Sequence, residues 1–498
     1  MCLSVLEAVF KHATDCPHKL CLVDDRRAIS YSEYLDQILK GASYLLKLGV
    51  RSGDLVMVEA SQTIDYLALQ LSIQSLEAIF VPISSNLSIE KIESLIFKVK
   101  PNYVFTNSTK KDLAFRNVIE LQQFTAQLPY YEVFHLTSFP KKNDVSEILF
   151  TTGTTGSEKG IVISFENNIA IAENVIAGTG MKDDNVELIL SPFNHSHGLR
   201  RYYANMYKGA SVVMQSSLVF VKNLFYKMDK YKVNSIDMVP STLSVLLKMS
   251  GESVLSKYSD SLRYVQFGAA PITDADKQLL RHLWPRTKLL NMYGSTESGV
   301  SCVSDFSIDN KKNSIGRPAI NSTIFVVDEK HRKITSSKNN TGFLACKSRA
   351  NMLGYYAVKE EISKDVLSDG VVYTNDVVFI DNDGDIILLG RKGDVINVGG
   401  SKFSPIEVEE CALAFPQLED CACVAVQDNS KVNVPKLFIQ LKESVDKTQF
   451  DVLKLKKFLS EKLEHYKVPC SYEVIDKIPR TYKGSIQRNL LKGWFMLR

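Results

Sequence analysis

The chain has 498 residues, 45% hydrophobic and 23% charged, the composition of an ordinary globular protein but too long for one compact core. Its 60 basic and 56 acidic side chains leave a net charge of +4, too even to argue for nucleic acid or an anionic membrane as the main partner. No apolar run reaches the roughly 20 residues of a membrane-spanning helix. The best, from Tyr66 to Ile83, is interrupted by Gln70, Gln74, Glu77 and Pro82. Met1 to Phe10 carries Glu7 inside its apolar part and has no basic lead-in, so a secretion signal is not expected. Nine scattered cysteines read as buried thiols of a reducing compartment, the cytoplasm; Cys421 and Cys423 have neither a second pair nor a nearby histidine to complete a metal site.

The predicted elements alternate along the chain. Leu35, Ile38, Leu39, Ala42, Leu45 and Leu46 recur at three and four, one face of a helix that Gly49 is placed to end. Strand-like apolar runs follow at Leu55–Val58, Ala78–Ile83 and Tyr103–Thr106, then at Ser211–Met214, Ile236–Pro240, Tyr264–Phe267 and Leu289–Tyr293. Strands separated by helical spacers predict an α/β fold with parallel or mixed sheets and flanking helices. Ligands of such folds lie beyond the carboxyl ends of the strands. Past residue 370 the texture changes. Val371–Leu389 reads as two strands about the turn Asp381-Asn382-Asp383-Gly384-Asp385, and Gly390-Arg391-Lys392-Gly393-Asp394 follows. Then a helix over Pro405–Phe415, strands over Cys421–Gln427 and Leu437–Leu441, and a helix over Phe450–His465 predict a small α+β unit. The expected organisation is a large composite domain over 1–391 and a small mobile domain over 392–498, hinged near Gly393.

The densest local signal is Thr151-Thr152-Gly153-Thr154-Thr155-Gly156-Ser157-Glu158-Lys159-Gly160, set between two apolar strands. Glycines let the backbone approach a ligand and turn N–H groups toward it, threonines add hydroxyls, and Lys159 adds a charge, which together suit a polyphosphate. It is not the Walker loop of kinases and GTPases, because Glu158 stands where that loop needs its second glycine. A plain polar turn has the same composition, so the loop alone leaves both readings open.

With the segments that follow it in order, the loop resembles the nucleotide-phosphate signature of the acyl- and aryl-CoA synthetase branch of the adenylate-forming enzymes, with Glu158 where proline is usual. Pro192-Phe193-Asn194-His195-Ser196-His197-Gly198-Leu199 resembles the segment whose histidine lies beside the acyl pocket. That implies His195 as a pocket wall and leaves His197 as structural. Phe267-Gly268-Ala269-Ala270-Pro271 resembles the adenine-contacting turn. Asn291-Met292-Tyr293-Gly294-Ser295-Thr296-Glu297 resembles the segment supplying an aromatic to adenine, a threonine to phosphate and a glutamate to Mg²⁺. Thr154 joins Glu297 as an implied metal ligand, and Asp376 and Arg391 match the ribose and hinge-side positions. Gly399, Gly400 and Ser401 resemble the edge that lines a thiol tunnel. His195, Val239, Gly268, Ser298 and Gly299 are the implied acyl-pocket residues. Bland alternatives stand beside these: Glu297 as a helix-start carboxylate, Asp376 as a hairpin cap, either histidine as a satisfied core residue.

The resemblance implies ATP, Mg²⁺ and coenzyme A as reactants with a small carboxylic acid, which forms acyl-AMP with release of pyrophosphate and then passes to a thiol. An acyl carrier protein or an amine is the alternative acceptor. Pro192–Leu199 is unlike the acidic segment of amino-acid-activating relatives, so a simple or aryl acid is expected. One departure stands out. The family's carboxyl-terminal Pro-x-x-x-x-Gly-Lys reads here Pro479-Arg480-Thr481-Tyr482-Lys483-Gly484-Ser485, with serine in place of the catalytic lysine. Charge stabilisation of that kind contributes about 10²–10³ in rate. Three accounts stay open: Lys483 reaches the same place, the chain adenylates slowly or only binds nucleotide, or the position has been altered.

Overall fold

A computed structural model describes residues 2–106, 113–152, 158–308, 311–358, 363–398, 401–427, 433–480 and 486–496. The first periodic helix spans Tyr31–Leu48. Ser30 and Glu33 cap it reciprocally at one end, and Gly49 closes it at φ 101°, a left-handed conformation that a residue without Cβ adopts freely. The longest apolar stretch divides into the helix Ile64–Ser75 and the strand Ile79–Ile83. Every residue of that helix is buried, which is why its pattern is apolar all round rather than striped. Among the described residues no helix is long and apolar enough to cross a membrane.

Two large sheets form the body. In the nine-stranded sheet, Leu20–Val23, Ser211–Met214, Val186–Ile189, Ser235–Met238, Tyr264–Gly268 and Lys288–Ser295 run parallel in that spatial order. Gly299–Asp305 then returns antiparallel beside Lys288–Ser295. The seven-stranded sheet carries Val145–Thr152 and Glu158–Ser164 as an antiparallel pair, with Gly354–Tyr356 on its edge. The sheets are therefore mixed, as an α/β fold with returning hairpins requires. A separate antiparallel sheet holds Ser322–Val327, Gly342–Ser348, Val371–Ile380 and Ile386–Arg391, the last two flanking the expected Asp381–Asp385 turn.

Several boundaries differ from the sequence reading, and two of the differences have a local cause in proline. The strand expected to run to Pro240 ends at Met238, because Pro240 opens the helix Pro240–Ser250, where its missing N–H costs nothing. The helix expected over Phe450–His465 spans only Val452–Ser460, with a short turn at His465–Lys467 before Val468-Pro469, where the α conformation is disfavoured. The small carboxyl-terminal unit packs this helix and Pro405–Leu413 on a three-stranded sheet of Leu418–Gln427, Asn433–Leu441 and Ser471–Val474. Cys421 and Cys423 are both buried in it. It touches the body where Glu410 Oε1 accepts from Asp274 N at 3.2 Å, and Lys402 Nζ donates to Thr341 Oγ1 at 3.3 Å.

Candidate active site

Contacts link the segment Tyr293–Glu297, at the end of a parallel strand, to the edge strand beside the threonine loop, to the helix Ser196–Lys208 and to the Asp376 hairpin. Gly153, Thr154, Thr155 and Gly156 lie outside the described residues, as do Gly399, Gly400, Lys483 and Ser485. The loop's flanks are described: Thr151 and Thr152 pair with Lys159 and Glu158 across the two strands. Lys159 Nζ sits 5.0 Å from the centre of the Tyr355 ring, a cation–π approach. Tyr355 arrives on the edge strand Gly354–Tyr356, opposite Ile161. Its hydroxyl donates to Glu297 Oε1 at 3.1 Å, and burial followed by the Glu297 charge raises its pKa, so it remains a donor. Glu297 Oε2 has no protein partner among the described residues.

Thr296 is braced from the other side. Its Oγ1 lies 3.2 Å from Ser196 Oγ, and the buried Arg200 donates to the carbonyls of Ser295 at 2.7 Å and Thr296 at 3.4 Å. Burial lowers the Arg200 pKa to about 10 against the charges of Glu147 and Glu297, so it stays a cation beneath this segment. Gly294 allows the hairpin to close: a Cβ there would lie 1.9 Å from the Gly299 carbonyl oxygen. Ser298 and Gly299, expected to open the acyl pocket, are packed into that same turn. Ser298 Oγ bonds Ser301 Oγ at 2.9 Å, and Gly299 faces Ala350 and Ile171.

At the Asp376 hairpin, Tyr293 Oη donates to Asp376 Oδ2, and Arg391 Nε lies 3.4 Å from Asp376 Oδ1, Asp376 and Arg391 being cross-strand partners. The Asp376 carboxylate thus serves this cluster, while the hairpin contact is made by its own N–H, donated to Thr374 Oγ1 at 3.1 Å. Asn291 Oδ1 is buried with no hydrogen-bond partner among the described residues. Ala269 holds φ at 64°, a conformation uncommon for a residue with a side chain, and Ala270 follows it in the turn after Gly268.

The two histidines separate in space. His195 is the amino-terminal cap of the helix Ser196–Lys208, in extended conformation, with Nε2 3.4 Å from Asn194 Nδ2. The ring against Gly268 belongs to His197, whose Nε2 lies 2.9 Å from Asp237 Oδ1. Val239 caps the helix Pro240–Ser250 one residue beyond the Asp237 strand. Gly393 holds φ at 89°, with open space where a side chain would project, and Ser401, itself exposed, begins the hairpin strand Ser401–Phe403. Sequence reasoning missed Tyr355, Ser196, Arg200 and Asp237. Only Asp237 left a legible trace, an acid inside the otherwise apolar strand Ser235–Met238.

An acid–base cluster of Asp376 and Arg391 beside Tyr293 on a strand of the parallel run, and a Thr/Gly-rich segment between two paired strands, are features of nucleotide-binding α/β folds. The profile of the AMP-binding enzyme family matches residues 9–356, that of the AMP-binding enzyme C-terminal domain matches residues 407–485, and the chain belongs to this family. It is 25% identical over 490 residues to 4-coumarate–CoA ligase-like 1 of Arabidopsis thaliana, covering 94% of this chain and 89% of that protein. It is 24% identical over 483 residues to 2-succinylbenzoate–CoA ligase of Bacillus mycoides, covering 96% of each. The fold is that of ATP-bound MatB from Rhodopseudomonas palustris, with a TM-score of 0.88 at 20% identity and 99% of each chain covered. It is likewise that of o-succinylbenzoate CoA synthetase (MenE) from Bacillus subtilis, with a TM-score of 0.83 at 21% identity and 97% of each chain covered.

Proposed function

We propose that the protein is an AMP-forming acid–thiol ligase that activates a small carboxylic acid with ATP and transfers the acyl group to coenzyme A. The observation that carries this reading is that the short segment Tyr293–Glu297 joins two contact clusters, Lys159 and Tyr355 with Glu297 at one end and Asp376 and Arg391 with Tyr293 at the other. One end suits a polyphosphate and the other a vicinal diol. The substrate carboxylate attacks the α-phosphorus, the bond to the bridging oxygen breaks, and pyrophosphate leaves. Lys159, Thr151, Thr152 and the loop N–H groups hold the phosphates in line, and Thr296 receives the α-phosphate. Glu297 Oε2, an unpartnered hard oxygen, fits Mg²⁺ together with Thr154; the ion supplies neutralisation of phosphate charge. Tyr293, Asn291, Gly294 and the Gly268–Ala270 turn hold adenine, and Asp376 with Arg391 holds ribose. The small domain, residues 392–498, then turns about Gly393. The Gly399–Ser401 edge faces the cleft, a thiol attacks the acyl carbon, and AMP departs.

The names of the CoA ligase relatives support coenzyme A as the thiol, with a carrier-protein thiol or an amine as the other acceptors. Unpaired cysteines support a reducing, cytoplasmic location. Ser485 favours a second reading, a nucleotide-binding protein that no longer adenylates. Pyrophosphate release from ATP, screened over short, medium, long-chain and aromatic acids, separates the two. Acid-dependent release is expected, lowered about 10²-fold by Lys483→Ala and raised by Ser485→Lys. ATP binding without release for any acid would establish the second reading instead. An unchanged rate in Lys483→Ala would remove Lys483 from the mechanism.

A further inference from the structure

Glu147 lies in the strand Val145–Thr152, which enters the threonine segment, and Arg200 lies on the helix Ser196–Lys208. Both are ionisable and both are buried, at 1% and 8% exposure. With Asn168, Ser196 and Tyr203 they line one narrow internal pocket, and the charge of each acts on the other. On one side, Glu147 Oε2 accepts from Tyr203 Oη, which accepts in turn from Gln70 Nε2 on the helix Ile64–Ser75. On the other, Arg200 Nη2 donates to the carbonyls of Ser295 at 2.7 Å and Thr296 at 3.4 Å. Ser196, one turn earlier on the same helix, meets Thr296 Oγ1 at 3.2 Å. Val145–Thr152 belongs to the seven-stranded sheet and Lys288–Ser295 to the nine-stranded sheet. The run Gln70–Tyr203–Glu147–Arg200 therefore joins the two sheets at the segments that carry Thr151, Thr152 and Thr296. A planar guanidinium on two successive carbonyls fixes the peptide between them, and both carbonyls lose a donor when it is removed.

We propose that Arg200 and Glu147 are a positioning pair that ties the strand entering the threonine segment to the Ser295–Thr296 backbone and sets the rate of acid activation rather than the affinity for its substrates. The proposal rests on the acid-activating reading above, in which Thr151, Thr152 and Thr296 hold phosphate. In that reading neither side chain touches a reactant. Arg200 acts through the two carbonyls it holds, and Glu147 acts through Arg200 by supplying a buried counter-charge. A misplacement of about 1 Å at such a contact costs about 10²-fold, so loss of the guanidinium is read mainly in kcat. The pair also carries a pH dependence. The titratable and charged groups facing Glu147 are Tyr66, Tyr203 and Arg200. Burial pushes both tyrosine hydroxyls well above their usual range, so they stay neutral, and Arg200 keeps its charge up to about 10. Glu147, raised by burial to about 7, is the member that changes charge near neutrality. Arg200 gains this counter-charge as Glu147 ionises; Glu297 is the other anion that faces it.

The full chain, Arg200→Met, Arg200→Lys and Glu147→Gln are assayed for pyrophosphate release from ATP with acetic, hexanoic, palmitic and benzoic acids, across about pH 5.5–9. Arg200→Met should lower kcat about a hundredfold and leave KM for ATP and acid within about twofold. Arg200→Lys, which keeps a donor for one carbonyl, should recover part of the loss. Glu147→Gln keeps acceptors for Tyr203 and Asn168 and removes only the charge. It should match the wild type at the acid end and fall behind by about threefold to tenfold at the alkaline end, with a midpoint near 7. A wild-type-to-variant ratio that stays level across the range overturns the proposal, as does an Arg200→Met protein altered in KM alone. Amide hydrogen exchange of peptides spanning residues 291–300 reads the positioning without any reactant. Arg200→Met, or Arg200→Lys should the first not fold, should speed exchange there and leave the helix Tyr31–Leu48 at its wild-type rate. Unchanged exchange in that segment, or an equal rise everywhere, removes the pair from this role. If no acid elicits release from the wild type, the acid-activating reading fails, and the exchange result alone decides whether the pair positions the segment.

Discussion

Glu187→Gln removes the anion that faces Arg201 inside the helix–sheet layer. Glu187 Oε1 accepts from Arg201 Nε at 2.8 Å and from Nη2, and both side chains are 1% exposed or less. Burial disfavours the guanidinium charge, yet Glu187, Tyr264 and Asp237 together raise its pKa above the ordinary arginine value. Arginine cannot escape by losing its proton, so the variant keeps a buried cation that has lost its directly bonded anion, with only Asp237 left nearby. Removing one partner of such a pair costs about 3–5 kcal/mol. The amide of the variant can still hold Asn205 and the Tyr264 hydroxyl, which places the expected loss at the low end, about 3 kcal/mol. Arg201→Met strands the carboxylate instead and should cost a similar amount. The double variant, with both charges gone and the stem volume kept, should recover to within about 1 kcal/mol of wild type. Urea unfolding followed by tryptophan fluorescence reads this directly, because Trp284 is buried in the same domain. A Trp494→Phe background removes the other tryptophan, in the carboxyl-terminal helix. If the double variant loses the sum of the two single losses, the pair is not coupled and does not hold the helix to its sheet.

Burial raises the Glu147 carboxyl to about 7 against hydrogen bonds from Tyr203 and Asn168. The folded chain therefore holds a proton there that the unfolded chain releases near 4.5, so this group's contribution to stability is present at low pH and is lost as pH rises toward about 7. The loss is about 3 kcal/mol at most, and Glu147→Gln should abolish it; a wild-type-minus-variant difference that stays level across that window refutes the assignment. If the proposed ribose role holds, Asp376→Asn, which removes the charge shared by Tyr293 and Arg391, should raise the ATP KM roughly tenfold to a hundredfold. A deoxyribose analogue of ATP should suffer less from the change than ATP itself. Equal losses for both nucleotides would detach Asp376 from the ribose.

Local signals in the chain determined a good deal by themselves. The helix Tyr31–Leu48 follows from its apolar spacing and from Gly49, and the Asp381–Asp385 turn from its own residues, because periodicity and turn chemistry act over a few residues. The Gly268 turn and the Tyr293–Glu297 segment stood out through a resemblance carried by the order of several motifs, and the core of the threonine loop lies outside the described residues. The partnerships that join these segments were not legible. Tyr355 meets Glu297 across 58 positions and Arg200 meets Ser295 across 95, distances closed only by sheet order and register. His195 and His197 stand two residues apart in the same segment, and nothing local ranks one above the other. The start of the helix decides: His195 stays extended at the cap at φ −111°, while His197 enters the first turn and is carried over Asp237 and Gly268. Which imidazole lies over Asp237 and Gly268 is thus set by where a helix begins and which strand lies beneath it.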